Sequence, residues 1–145
     1  MRRIAIVATV LTVALASPLT AQAPVPSGPP HAWLFGAWIG GIFPPPVTLS
    51  TQECLAQPMV VFTRDVVMRA VMTTPAYAQR LVDTARATAT GFEVRLVPTT
   101  SAPAPGEGFG CPDPNMLPVQ RRGENEISFP GCTEFPFPLI RCTSH

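Results

Sequence analysis

Four cysteines, Cys54, Cys111, Cys132 and Cys142, follow an N-terminal segment of export type, and that combination narrows the possible folds more than any other feature. Arg2 and Arg3 form a positive start, and Ile4 to Ala16 form an apolar run of thirteen residues broken only by Thr9 and Thr12. This is the layout of a signal peptide. The run is shorter than the roughly 20 apolar residues a membrane-crossing helix needs, and no second apolar stretch follows, so no membrane span is expected after processing. Cleavage is expected after Ala21 or Ala23; Pro24 beside the second site, rigid and without an N–H, favours the first. The Arg2-Arg3 pair lacks the surroundings of a twin-arginine signal. In an oxidising compartment an even cysteine count reads as two disulfides. Zinc would need ligand pairs roughly two to four residues apart, a spacing found in no cysteine pair here, and the only histidines are His31 and His145. No metal or cofactor site is read.

Removal of residues 1–21 leaves a Pro-rich arm at 22–31, with four prolines between Pro24 and Pro30, and a single domain at 32–145. The segment Ala32 to Phe43 reads as a strand apolar on both faces, Trp33, Phe35 and Ile39 on one and Leu34 and Trp38 on the other. Gly36, Gly40 and Gly41 mark points where it bulges or lets another backbone approach, and Pro44 to Pro46 end it. Strands are predicted near 59–63 and 66–72 around Thr63-Arg64-Asp65, with Met68, Ala70 and Met72 as the inner face. From Thr74 to Gly91 the local rules favour a helix: a capping Thr74, Pro75 in the first turn, and Ala78, Leu81, Val82, Ala85 and Ala89 at helical spacing. A strand able to pair with residues 92–98 is the competing reading, since Val82, Thr84, Thr88 and Thr90 are modest helix formers.

A long Pro/Gly loop is expected at 99–115, then a hairpin from Leu117-Pro118-Val119-Gln120 to Glu126-Ile127-Ser128-Phe129 with Arg122-Gly123-Glu124 at its turn, and a short strand near Leu139 to Cys142. Cys111 and Cys132 stand almost symmetrically about that turn, which predicts the pair Cys111–Cys132 and leaves Cys54–Cys142; local pairing of Cys132 with Cys142 is the alternative. The expected fold is mainly β or α+β: one small antiparallel sheet or barrel-like meander, at most one helix near 75–88, and two disulfides.

Most familiar chemistries find no residues here. All ten basic residues are arginine; without lysine there is no Schiff-base chemistry. Once Arg2 and Arg3 leave, eight arginines face nine acids, so no basic field exists for nucleic acid. His31 and His145 read as incidental surface histidines, without the rigid placement a catalytic base requires. Among the acids only Glu53, Asp83 and Glu93 have a chance of sharing a surface. Gly106-Glu107-Gly108-Phe109-Gly110 reads as a flexible loop, because an acid stands where phosphate would sit.

Binding is therefore the expected work. Trp33, Phe35, Trp38 and Phe43 cluster in one short segment, and Phe135 and Phe137 alternate with prolines near the other end. Core packing accounts for much of this; the remainder points to an aromatic patch for an apolar small molecule or an envelope protein partner. Gly36-Ala37-Trp38 resembles the GxW tripeptide of lipocalin-type barrels. The likeness covers three positions, and the helix expected at 75–88 and the late Pro-rich loop depart from an eight-stranded meander, so no family is assigned from it. The expected protein is a periplasmic or secreted, non-catalytic monomer. The rival readings are an enzyme inhibitor acting through the arm or through the loop near Pro103 to Pro114, and a small carboxylate-dependent hydrolase.

Overall fold

Every strand in the computed structural model, which describes residues 28–101 and 103–143, pairs antiparallel with its neighbours in the chain, and the last closes onto the first. The strands are β1 (Gly36–Gly40), β2 (Val60–Phe62), β3 (Val66–Ala70), β4 (Tyr77–Ala87), β5 (Gly91–Leu96), β6 (Met116–Arg121), β7 (Glu126–Ser128) and β8 (Leu139–Arg141). The result is a closed eight-stranded meander, which leaves no unpaired strand edge. Closure comes from the register Trp38↔Arg141, Ile39↔Ile140, Gly40↔Leu139 between β1 and β8. The expected signal peptide and most of the Pro-rich arm lie outside the described residues, as does His145.

The helix expected at 75–88 is a strand, and among the described residues the one α-helix is elsewhere, α1 at Thr51–Ala56. Two ladders decide the first point: β4 is bonded to β3 from Val66↔Leu81 to Ala70↔Tyr77 and to β5 from Val82↔Leu96 to Ala87↔Phe92. Against two rows of hydrogen bonds, weak helical propensity among threonines and alanines cannot prevail. A register shift between Val82 and Thr84 sets Asp83 in a bulge, which breaks strict alternation and helps produce the helix-like spacing in the sequence. Ser50 starts α1: its hydroxyl accepts from the Glu53 N–H at 3.2 Å while the Glu53 carboxylate accepts from the Ser50 N–H at 3.0 Å.

With β4 a strand and the Pro/Gly loop reduced to the β5–β6 connection, both departures from an eight-stranded meander disappear, and Gly36-Ala37-Trp38 opens β1. The segment before it is not strand. Ala32–Leu34 form a single 3-10 turn, so Trp33 and Leu34 project from a turn that covers one end of the barrel. Gly40 takes φ +100, and a Cβ there would lie 2.6 Å from the Pro138 carbonyl oxygen, so only glycine lets the 129–138 segment approach so closely.

The lumen is filled. Trp38, Val60, Phe62, Val67, Val94, Leu96, Leu117, Val119, Ile127 and Leu139 are buried in one core, which Leu34 joins from the 3-10 turn. The inner face of β3 is the reverse of the one expected: Val67 and Arg69 are buried, whereas Met68 and Ala70 are half-buried. An arginine faces inward because Glu134, 65 residues further on, supplies its counter-charge. At the end where β1 stops, Phe109, Phe129 and Phe135 stack with ring centroids 5.3 to 5.6 Å apart and stop the mouth. The disulfides are Cys111–Cys132, beside this stopper, and Cys54–Cys142, which ties α1 to the residue after β8.

Candidate functional site

The four aromatic residues singled out from sequence do not form one patch. Trp38 is wholly inside the core, its indole N–H donating to the Leu34 carbonyl at 2.9 Å. Phe35 is half-buried with the His31 ring edge-on at 5.1 Å, Trp33 lines a surface groove, and Phe43 is exposed beyond the opposite end of β1. His31 is not at the surface as expected. It is buried, with Nε2 3.4 Å from the Arg64 carbonyl oxygen and Nδ1 without a partner among the described residues.

At the 3-10 end, aromatic rings and guanidinium groups alternate. Arg141 lies 4.5 Å over Trp38 and donates to the carbonyl oxygens of Phe35, at 3.0 Å, and of Trp33. Trp38 meets Trp33 edge-on at 6.4 Å, and Arg121 lies 4.8 Å over Trp33. Burial, and after it the charge of Arg121, holds Arg141 below the ordinary arginine range, so this end carries crowded positive charge. Beside the stack runs a shallow groove of about 640 Å³ between Trp33, the Thr88–Thr90 turn, Phe92, Gln120 and Arg121-Arg122.

At the end where β1 stops, the long loop is held at its feet rather than free. Arg80, buried, donates to the carbonyls of Val97 at 3.0 Å and Pro114 at 3.2 Å and to Asn115 Oδ1 at 2.8 Å. Burial lowers its pKa as well. Arg69 donates to the Gly108 carbonyl and to Glu134, latching the loop to the barrel wall. The glycine-rich stretch 106–110 is thus a stopper, with Phe109 as its plug, and not the flexible loop expected from its composition. A recess of about 350 Å³ remains beneath it, lined by Leu96, Pro103, Phe109, Met116 and Glu134. Arg69→Ala is expected to cost about 3 kcal/mol, the low end of the range for breaking a buried pair because Glu134 retains some solvent. Urea unfolding checks this; a loss under about 1 kcal/mol would show that the latch does not hold the stopper.

The rim segment that leaves β1 here displays apolar groups and runs on past Ile39 and Ile140 to α1. Phe43 is 55% and Val47 100% exposed, on either side of Pro44 to Pro46. The main chain around them is fixed: Gly41 donates to Pro138, Phe137 donates to Gly41, and Ser50 caps α1, which Cys54 locks to Cys142. Sequence reasoning found Phe43 but missed Val47, whose only signal is its place directly after three prolines.

The three acids considered for catalysis do not converge. Glu53 belongs to the α1 capping box, where hydrogen bonds from the Ser50 hydroxyl and then its N–H hold the carboxyl below the usual range. Glu93 on β5 pairs with Arg86 at 3.0 Å, and Asp83 is exposed in the β4 bulge. Among the described residues no three His, Cys, Asp or Glu side chains are placed to hold a metal ion. No protein-family model, no curated protein and no solved structure matches this chain.

Proposed function

We propose that the chain is an exported, non-catalytic binding protein that engages a protein of the cell envelope through the rim segment between β1 and α1. Export is supported by the N-terminal layout and by two disulfides in a domain of this size. Among the described residues no helix is long and apolar enough to cross a membrane. A closed barrel without free edges supports a monomer.

The observation that carries the reading is the display of Phe43 and Val47 on a segment stiffened by three prolines and pinned on both sides. Exposed apolar side chains on a mobile loop would fold back onto the barrel; here prolines hold them out. Such a loop loses little freedom on docking, so more of the contact energy is left for affinity. A filled lumen weighs against an apolar small molecule held inside, as many eight-stranded barrels hold one. The second reading, an enzyme inhibitor, rests on the loop at 97–115, whose feet are tied by Arg80 and Cys111–Cys132 while Ala104, Pro105 and Glu107 are exposed at its tip.

Photo-crosslinking separates these readings. A crosslinker at Val47 is expected to capture one envelope protein whose purified form binds the barrel, and Val47→Asp is expected to weaken that binding at least tenfold. Leu81→Asp, which alters a 58% exposed apolar residue on β4, is the control and is expected to have no effect. Equal losses from both variants would end the rim reading. Capture of a protease from Pro105 and not from Val47 would put the inhibitor in its place.

A further inference from the structure

We propose that the groove beside Trp33 is a second binding site, independent of the rim, for a small organic oxyanion: a carboxylate or phosphate carried on an apolar scaffold. The groove shares no lining residue with the recess beside Val47 and joins two kinds of surface. One wall is aromatic, formed by half-buried Trp33 with its ring 5.7 Å from that of buried Phe92. The other is cationic, formed by Arg121 and Arg122 at the end of β6, with Thr88, Thr90 and Gln120 also lining the groove.

Among the described residues the charge there has no counterpart. Arg121 donates through Nε to the Gly123 carbonyl at 3.1 Å, and among the described residues neither it nor Arg122 makes an ion pair. The acids in the vicinity are otherwise placed: Glu93 is taken by Arg86, and Glu124 and Glu126 share the β6–β7 turn with the arginines without pairing to them. Arg141, behind Trp33, is committed to the carbonyls of Phe35 and Trp33. Three guanidinium groups thus crowd one end of a chain that, once Arg2 and Arg3 leave, has eight arginines against nine acids. Like charges gathered around an indole repel one another, and an oxyanion relieves that repulsion while accepting paired N–H groups from a guanidinium fork.

The site is also preformed. Stacking on Trp33 fixes the Arg121 plane, and the Arg121 N–H donates to the Thr90 carbonyl at 2.9 Å, tying the cationic wall to the β4–β5 turn. A Cβ on Gly91 would run into the Val119 carbonyl, so β5 and β6 are pressed together directly below the groove and their spacing cannot relax. An anion arriving there meets an Arg121 already held by the Trp33 ring and the Gly123 carbonyl, which reduces the ordering it must impose.

The two tryptophans make a direct test. Trp33 lines the groove, whereas the indole N–H of Trp38 is buried and bonded to Leu34, so the Trp38 indole signal in a nitrogen–proton correlation spectrum serves as an internal control. Benzoate, phenyl phosphate, inorganic phosphate and neutral benzyl alcohol are titrated at matched ionic strength, with chloride as reference. A saturable shift of the Trp33 indole by benzoate or phenyl phosphate is expected, at least tenfold weaker for benzyl alcohol, with Trp38 unmoved. The tighter of the two anions identifies which oxyanion the site takes, and inorganic phosphate tells whether the scaffold contributes. The double variant Arg121→Gln, Arg122→Gln should weaken binding at least tenfold while the Trp38 signal keeps its position, which shows the fold intact. Shifts no larger than those from chloride, or equal affinity in the double variant, would overturn the proposal.

Discussion

A variant with both Cys54 and Cys142 changed to serine is expected to lose about 4 to 5 kcal/mol, against about 3 kcal/mol for the matching change at Cys111 and Cys132. The two bridges span 88 and 21 residues, and in the chain-entropy account the longer loop constrains the unfolded chain more. For a domain whose total stability is of order 5 to 15 kcal/mol, the first loss approaches unfolding. The folded state adds to the difference. Cys54–Cys142 holds α1 and the Phe43–Leu49 segment against β8, whereas the stopper keeps the Arg69 latch and three stacked phenylalanines when Cys111–Cys132 is gone. Urea unfolding of the two double variants, compared at equal slope, measures this. Equal losses, or a larger one at Cys111 and Cys132, would mean that loop length does not govern the contribution of these bridges.

Replacing Trp38 with alanine should cost about 3 to 5 kcal/mol, the usual range for removing a wholly buried large aromatic. Three losses coincide there. The indole leaves a void in the core, the Leu34 carbonyl is deprived of its donor, and Arg141 loses the ring over which it lies at 4.5 Å. Trp33→Ala, at a half-buried position on the adjoining turn, should cost less than half as much. Thermal midpoints of the two variants compare them directly. If Trp33→Ala proved as costly as Trp38→Ala, the 3-10 turn rather than the strand residue would be what seals this end of the barrel.

Short-range patterns in the sequence were legible wherever the structure depends on short-range contacts. The β2–β3 hairpin falls where β-branched runs flank a polar turn and the β6–β7 hairpin where apolar residues alternate on either side of one, and the second hairpin carries Cys111 and Cys132 to one end, which is why their pairing could be anticipated. What was missed depends on distant partners. The inner face of β3 reads backwards until Glu134 is known to meet Arg69, and β4 reads as a helix until strands on both sides are counted. The turn at Ala32–Leu34 is too short to have a period, and apolar on all sides it is easily taken for a strand. For α1 a signal was present and overlooked: Ser50 followed three residues later by Glu53 is a capping box. Of the candidate binding residues, Trp33 and Phe43 stay accessible while Trp38 belongs to the core, a distinction that hydrophobicity alone does not make. Arg121 and Arg122 read as solvated turn residues because nothing in sequence places them beside Trp33, 88 positions earlier than Arg121.

The pairing of β1 with β8 also fixes how the molecule can be handled. Since Trp38 faces Arg141, the chain arrives at and departs from the same pole, the one that bears the arginines. A surface tether joined behind Thr143 would stand beside Val47, which lines the same recess, and leave the phenylalanine stopper pointing into solution. Biosensor chips loaded through the C-terminus should therefore report reduced capacity for both the protein partner and the oxyanion, a built-in polarity that a barrel entered and left at opposite poles would lack.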